Sequence, residues 1–140
     1  MLTESGTITD GYLWALEQLV EQDPTNHLPL TLWTAGGVVY GDLISNEAWK
    51  KAWKGETEVF FWGKGTELLA QLPQSFDEAQ SEVRSEMGEV LGDGQFGLLH
   101  FRDVAMVSGH TVVPVSLWRC RVDGIIGWSL GRPEKGTERP

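Results

Sequence analysis

The sequence predicts an α+β fold: a small antiparallel five-stranded sheet or half-open barrel, with an N-terminal helix and a helical insert between strands 2 and 3. Three observations carry that expectation. The stretch Leu28–Ser45, LPLTLWTAGGVVYGDLIS, reads as a β-hairpin with one buried face. Apolar residues recur at helical spacing before it, and again between residues 46 and 91. After Gly92-Asp93-Gly94 the chain turns to β-rich runs separated by turn residues.

In the hairpin, Leu28, Leu30 and Leu32 fall on every second residue, so a strand points all of them to one face. Gly36-Gly37 adopts positive φ at little steric cost, which places the reversal there. Val38, Val39 and Tyr40 supply a return strand ending near Ile44. Gly41 inside that strand signals a bulge or a close backbone approach.

Ahead of the hairpin, Tyr12, Leu13, Leu16, Leu19 and Val20 repeat with helical spacing. Thr9 or Asp10 caps the start and Pro24 ends the helix. Glu17, Glu21 and Asp23 sit towards its C-terminal end, where the helix dipole disfavours them, so this helix relies on packing.

The insert covers about residues 45–92. Ser45 caps a helix whose apolar stripe is Ala48, Trp49, Ala52 and Trp53, with Lys50, Lys51 and Lys54 on the remaining surface and Gly55 as its stop. Glu58–Gly65 contains the run Val59-Phe60-Phe61-Trp62, too short to assign by period: a buried strand, a helical turn or an exposed aromatic loop. Thr66–Leu72 reads as a short helix ended by Pro73. Ser75–Leu91 reads as a second helix, with Ser75 and Glu78 as a capping box and Phe76, Ala79, Val83, Met87 and Val90 as its stripe.

Three strands close the chain. Phe96–Val107 carries Leu99 and Phe101, then shifts phase to Val104 and Met106 through a bulge near Asp103. Thr111–Val122 contains Pro114, which suits an edge strand or a bulge. Asp123-Gly124 between Val122 and Ile125 is a two-residue hairpin signal, and Ile125–Leu130 is the last strand. The strand order has the look of an Sm-like or SH3-like barrel, apart from the long insert. Residues 1–131 read as one domain and 132–140, RPEKGTERP, as a disordered tail.

The 140 residues carry 20 acidic and 11 basic side chains, a formal net charge of −9 that opposes general attraction to nucleic acid or anionic lipid. No apolar run approaches the ~18 residues of a membrane span, and the N-terminus has no signal-peptide pattern, which points to a cytoplasmic protein. Seven tryptophans are a high load, and most of them must pack.

Little of this composition assembles into chemistry. His27, His100 and His110 are too widely spaced for a short metal motif, so no metal or cofactor is expected. Cys120 stands between Arg119 and Arg121, which could lower a thiol pKa, yet a small buried thiol is the simpler reading. Gly63-Lys64-Gly65-Thr66 resembles the end of a phosphate loop, but Glu58 stands where that loop needs glycine. An enzyme would need a cleft uniting His100, Asp103 and Cys120.

The insert is more suggestive. Lys50, Lys51 and Lys54 form a basic face, and Asp77, Glu78, Glu82, Glu86 and Glu89 an acidic one; they pair either within one molecule or between molecules. With Phe60 and Trp62 they make the candidate interaction surface.

The helix at Tyr12–Val20, the hairpin, NEAWKKAW, the acidic insert, LLHFRDVAMV and VSLWRCRVDGIIGWSLG follow one another in an order similar to the gas vesicle accessory protein U family. The resemblance covers about residues 10–131. It implies a non-enzymatic cytoplasmic factor at the gas vesicle surface, promoting vesicle clustering or assembly through self-association and contact with the shell protein. It transfers no residue-level site. The alternative from the strand pattern and aromatics is a small-barrel module that binds a peptide or nucleic acid.

Overall fold

The hairpin is the middle of the sheet. Strands β1 (Leu28–Thr34) and β2 (Gly37–Ile44) pair antiparallel, from Leu28 opposite Leu43 to Thr34 opposite Gly37. The computed structural model describes residues 10–86 and 97–133. Around the hairpin it places α1 (Gly11–Glu21), α2 (Asn46–Phe60), α3 (Thr66–Glu86), β3 (Leu98–Ser108), β4 (Thr111–Arg121), a 3₁₀ turn (Val122–Gly124) and β5 (Ile125–Leu130). The architecture is α+β, with one unclosed antiparallel sheet in the order β4-β3-β2-β1-β5. The insert, α2 and α3, leaves from β2 and returns to β3.

Strand alternation divides the sheet into two faces, each met by different helices. One face collects Leu30, Leu32, Val39, Leu43, Leu99, Phe101 and Val104 with Leu13 and Val20 of α1 into the main core. Trp128 and Ile125 of β5 pack at its margin, so the leucine face of the hairpin has both α1 and β5 as partners. Asp10 caps α1 by accepting from the Tyr12 and Leu13 amides. Its other oxygen accepts from Trp128 Nε1 at 2.7 Å, tying the helix start to β5.

The sheet-facing stripe of α1 differs from the expected one. Leu13, Leu16, Glu17 and Val20 line the inner side, whereas Tyr12 and Leu19 are exposed. Glu21, at the unfavourable end of its own helix, accepts from the Asn46 amide at the start of α2, so the positive end of a second helix receives it.

The turn uses Ala35-Gly36 as its two central residues, and the positive φ falls at Gly37, not Gly36. Gly41 marks a close approach: a Cβ there would lie 2.7 Å from Val104 Cγ2 and 3.2 Å from the Arg102 carbonyl oxygen. The phase shift expected near Asp103 is present. The β2–β3 register slips between Tyr40 and Asp42, and Asp103 has φ 54°, the one positive-φ residue other than glycine among those described.

Asp123-Gly124 does not close a hairpin, because β4 and β5 lie at opposite edges of the sheet. The 3₁₀ turn instead carries the chain from one edge to the other, held by the Val122 amide on the Gly97 carbonyl, and β5 pairs with the free edge of β1. Pro114 lies on the edge strand β4, as a residue without an amide hydrogen requires. Arg132, placed by sequence in the tail, donates to the Asp103 carbonyl, pairs with Asp42 and stacks over Tyr40.

The insert also differs from the expected layout. Gly55 does not stop α2, which runs on to Phe60, and the uncertain segment becomes helix followed by a loop at 61–65. Nor does Pro73 separate two helices, since α3 is continuous from Thr66 to Glu86 with Pro73 inside it. The extension expected to Leu91 lies outside the described residues.

Candidate functional site

Proline lacks an amide hydrogen, so Pro73 leaves the carbonyl four residues before it, that of Leu69, without its helical donor. Trp53 of α2 supplies the missing one, its Nε1 lying 2.8 Å from Leu69 O. A helix interruption is thereby converted into a joint between two helices. One turn away on α2, Lys50 Nζ lies 2.8 Å from Asp77 Oδ2 of α3. These two contacts fasten α3 to α2 along the Leu69, Pro73 and Asp77 side.

The pair is anchored to the second face of the sheet by Trp49. It is buried, with its ring 5.4 Å from that of His100 and 5.5 Å from that of Trp53. The Arg119 guanidinium lies 5.4 Å from the Trp49 ring. Burial, reinforced by the charge of Arg119, pushes the His100 pKa down to about 4 and leaves the imidazole neutral at pH 7. His100 is therefore a packing residue beneath the insert.

With α3 held by one side, the adjoining side is left uncovered. Leu68, Leu72 and Phe76 are exposed, as are Val59 and Phe60 at the end of α2 and Trp62 in the loop. Trp62 is 83% exposed, so the ambiguous aromatic run ends in a solvent-facing loop. Lys51, Lys54, Glu78 and Glu82 also face solvent.

The predicted surface is thus split. Lys50 and Asp77 pair within the molecule, while Lys51, Lys54, Phe60, Trp62, Glu78 and Glu82 remain at the surface. Glu86 is the last residue of α3, and Glu89 lies outside the described residues. Leu68 and Leu72 were not recognised from sequence, because Pro73 masked the continuity of Leu68, Leu72 and Phe76 at four-residue steps. That spacing was the available signal.

The groups considered for catalysis are separated. Cys120 lies opposite Leu99 on the core side of the sheet, and His100 opposite Arg119 on the insert side. Burial pushes the Cys120 thiol up to about 12, opposite to the direction its arginine neighbours suggested, because alternation turns Arg119 and Arg121 to the other face. Asp103 is exposed at the bulge. An open cleft of about 380 Å³ lies where β4 and β5 fail to meet, lined by Thr34, Trp118, Cys120, Arg121, Asp123, Gly124 and Ile125. Arg121 and Asp123 neutralise one another there. Among the described residues, no group of three or more His, Cys, Asp or Glu is placed to hold a metal ion.

The family model described as "Gas vesicle protein GvpU-like" matches residues 10–133, from the Asp10 cap of α1 to just beyond Arg132. The chain belongs to the GvpU-like family. The matched span takes in every element of the fold, including the insert and its uncovered surface. This is a gas vesicle protein family, and membership makes the chain a gas vesicle-associated protein. Comparison with curated proteins gave no match, and comparison with solved structures gave none. No described helix is long and apolar enough to cross a membrane.

Proposed function

We propose that this GvpU-like protein is a non-enzymatic accessory factor, bound at the gas vesicle surface, that promotes vesicle clustering or assembly through shell contact and self-association. The observation that carries the reading is the insert, which leaves Val59, Phe60, Trp62, Leu68, Leu72 and Phe76 exposed on one helical pair. An apolar surface of this kind on a soluble scaffold marks a contact site. The exposed Lys51 and Lys54 lie on one helix of that pair, and Glu78 and Glu82 on the other. The Lys51/Lys54 patch of α2, meeting acidic surface of another copy away from the apolar stripe of α3, supports weak, salt-sensitive association between copies.

Flotation tests the proposal. Purified chain is mixed with washed buoyant vesicles, the vesicles are floated, and bound chain is measured while clustering is followed by light scattering. The chain is expected to float with the vesicles and to raise scattering, with both effects reduced in Phe60→Ser/Trp62→Ser. A chain that stays in the subnatant, or clustering indifferent to salt and to both aromatics, refutes it.

A further inference from the structure

We infer that the outer side of α3 is a docking groove for a basic amphipathic helix of a different protein, not for a second copy of this chain. Leu68, Leu72 and Phe76 follow at one-turn steps and Ala79 continues their line, giving an exposed apolar stripe of about three turns, or roughly 17 Å. One flank of the stripe is closed by α2, which occupies the side of Leu69, Pro73 and Asp77.

The other flank is a row of carboxylates. Glu78 stands three turns beyond Glu67, and Glu82 one turn further, all exposed and all on the same side of the stripe. Between them come Gln71, Gln74 and Ser75, also exposed and uncharged. The flank therefore carries one sign of charge over its whole length.

This charge pattern selects the occupant. Two copies meeting stripe to stripe in the antiparallel sense would bring Glu67 of one towards Glu82 of the other. In the parallel sense the carboxylate row of each copy would lie against the α2 flank of the other, which offers it no continuous basic row. The antiparallel arrangement places like charges beside a desolvating apolar contact, and in either sense each chain already carries a net charge of −9. A helix with apolar residues at i, i+3, i+4 and i+7 and Lys or Arg on the adjoining flank satisfies both the stripe and the carboxylate row. Self-association then uses surface away from this stripe, with Lys51 and Lys54 of α2 as its basic side.

The assignment rests on reading the insert as an interaction surface, but it is tested without vesicles, so its failure and that of flotation are distinguishable. The probe is a fluorescein-labelled helical peptide of about 18 residues, with leucines at those spacings and lysines elsewhere. Binding to the full chain is followed by anisotropy between about 50 and 300 mM salt. Leu72→Ser and Phe76→Ser are each expected to weaken binding about ten-fold. Glu78→Lys/Glu82→Lys is expected to weaken it about five-fold and flatten the salt dependence. Glu47→Lys/Glu58→Lys, on the outer side of α2, is expected to leave binding unchanged. Circular dichroism verifies that each variant is folded, and the charge variants decide the matter should an apolar variant unfold. The inference is overturned by stripe variants that bind like the parent, by equal binding of a peptide with glutamate in place of lysine, or by a dimer that Leu72→Ser dissociates.

Discussion

The joint between Pro73 and Trp53 yields a prediction that a double-mutant cycle isolates. Trp53→Phe keeps a ring between the helices but removes the hydrogen that serves Leu69 O at 2.8 Å. A partly buried carbonyl stripped of its donor costs about 1–2 kcal/mol, to which the smaller ring adds some lost packing. Pro73→Ala restores a backbone amide to position 73, and that amide donates to the same carbonyl. In the Pro73→Ala background the hydrogen-bond part of the Trp53→Phe cost therefore disappears, while the packing part, including the stacking on Trp49, stays. The expected coupling is about 1 kcal/mol. Urea unfolding followed by far-ultraviolet circular dichroism measures all four chains; fluorescence is avoided because the substitution deletes a tryptophan. Equal costs of Trp53→Phe in the two backgrounds, within about 0.3 kcal/mol, would refute the compensation.

Glu17 lies on the sheet side of α1, and burial, with Glu21 beside it, raises its pKa from 4.5 to about 7. A carboxyl group whose folded pKa is raised binds its proton more tightly in the folded chain, so this residue lowers stability as pH climbs from 4.5 to about 7 and by a constant amount above that. Full desolvation would make this ~3 kcal/mol. The side chain is only partly buried, and screening leaves ~1 kcal/mol, so Glu17→Gln should stabilise by that much at pH 8 and hardly at all at pH 4. A pH series of thermal melts for the two chains checks the sign. Two glycines should respond oppositely to alanine. Gly41→Ala meets backbone atoms at 3.2 Å and should lose about 1–3 kcal/mol. Gly55→Ala enters open space inside α2 and should gain about 0.5–1 kcal/mol, both read from urea midpoints.

Much of the fold was legible because its signals are local. The alternation of Leu28, Leu30 and Leu32, the intolerance of Gly41 for a side chain and the phase shift at Asp103 need only neighbouring residues to be read. The errors fell where a local signal is answered from elsewhere. Asp123-Gly124 has hairpin chemistry, but β5 pairs with the free edge of β1, where Trp128 and Ile125 pack against the core. Gly55 weakens a helix only modestly, and the contacts of Trp49, Trp53 and Thr57 along one side carry α2 past it.

The candidate surface divides in the same way. Sequence alone settled that the insert is amphipathic and split in charge, because period and composition are properties of the chain. It also pointed to the GvpU-like family, through the order of its elements. Only the tertiary structure decided that Lys50 and Asp77 are partners within one molecule, and that Leu68, Leu72 and Phe76 form one continuous exposed stripe. The reason is the Leu69 carbonyl. Whether Pro73 ends a helix depends on a donor 16 residues away in the chain, and spacing along the sequence does not reveal that Trp53 provides it.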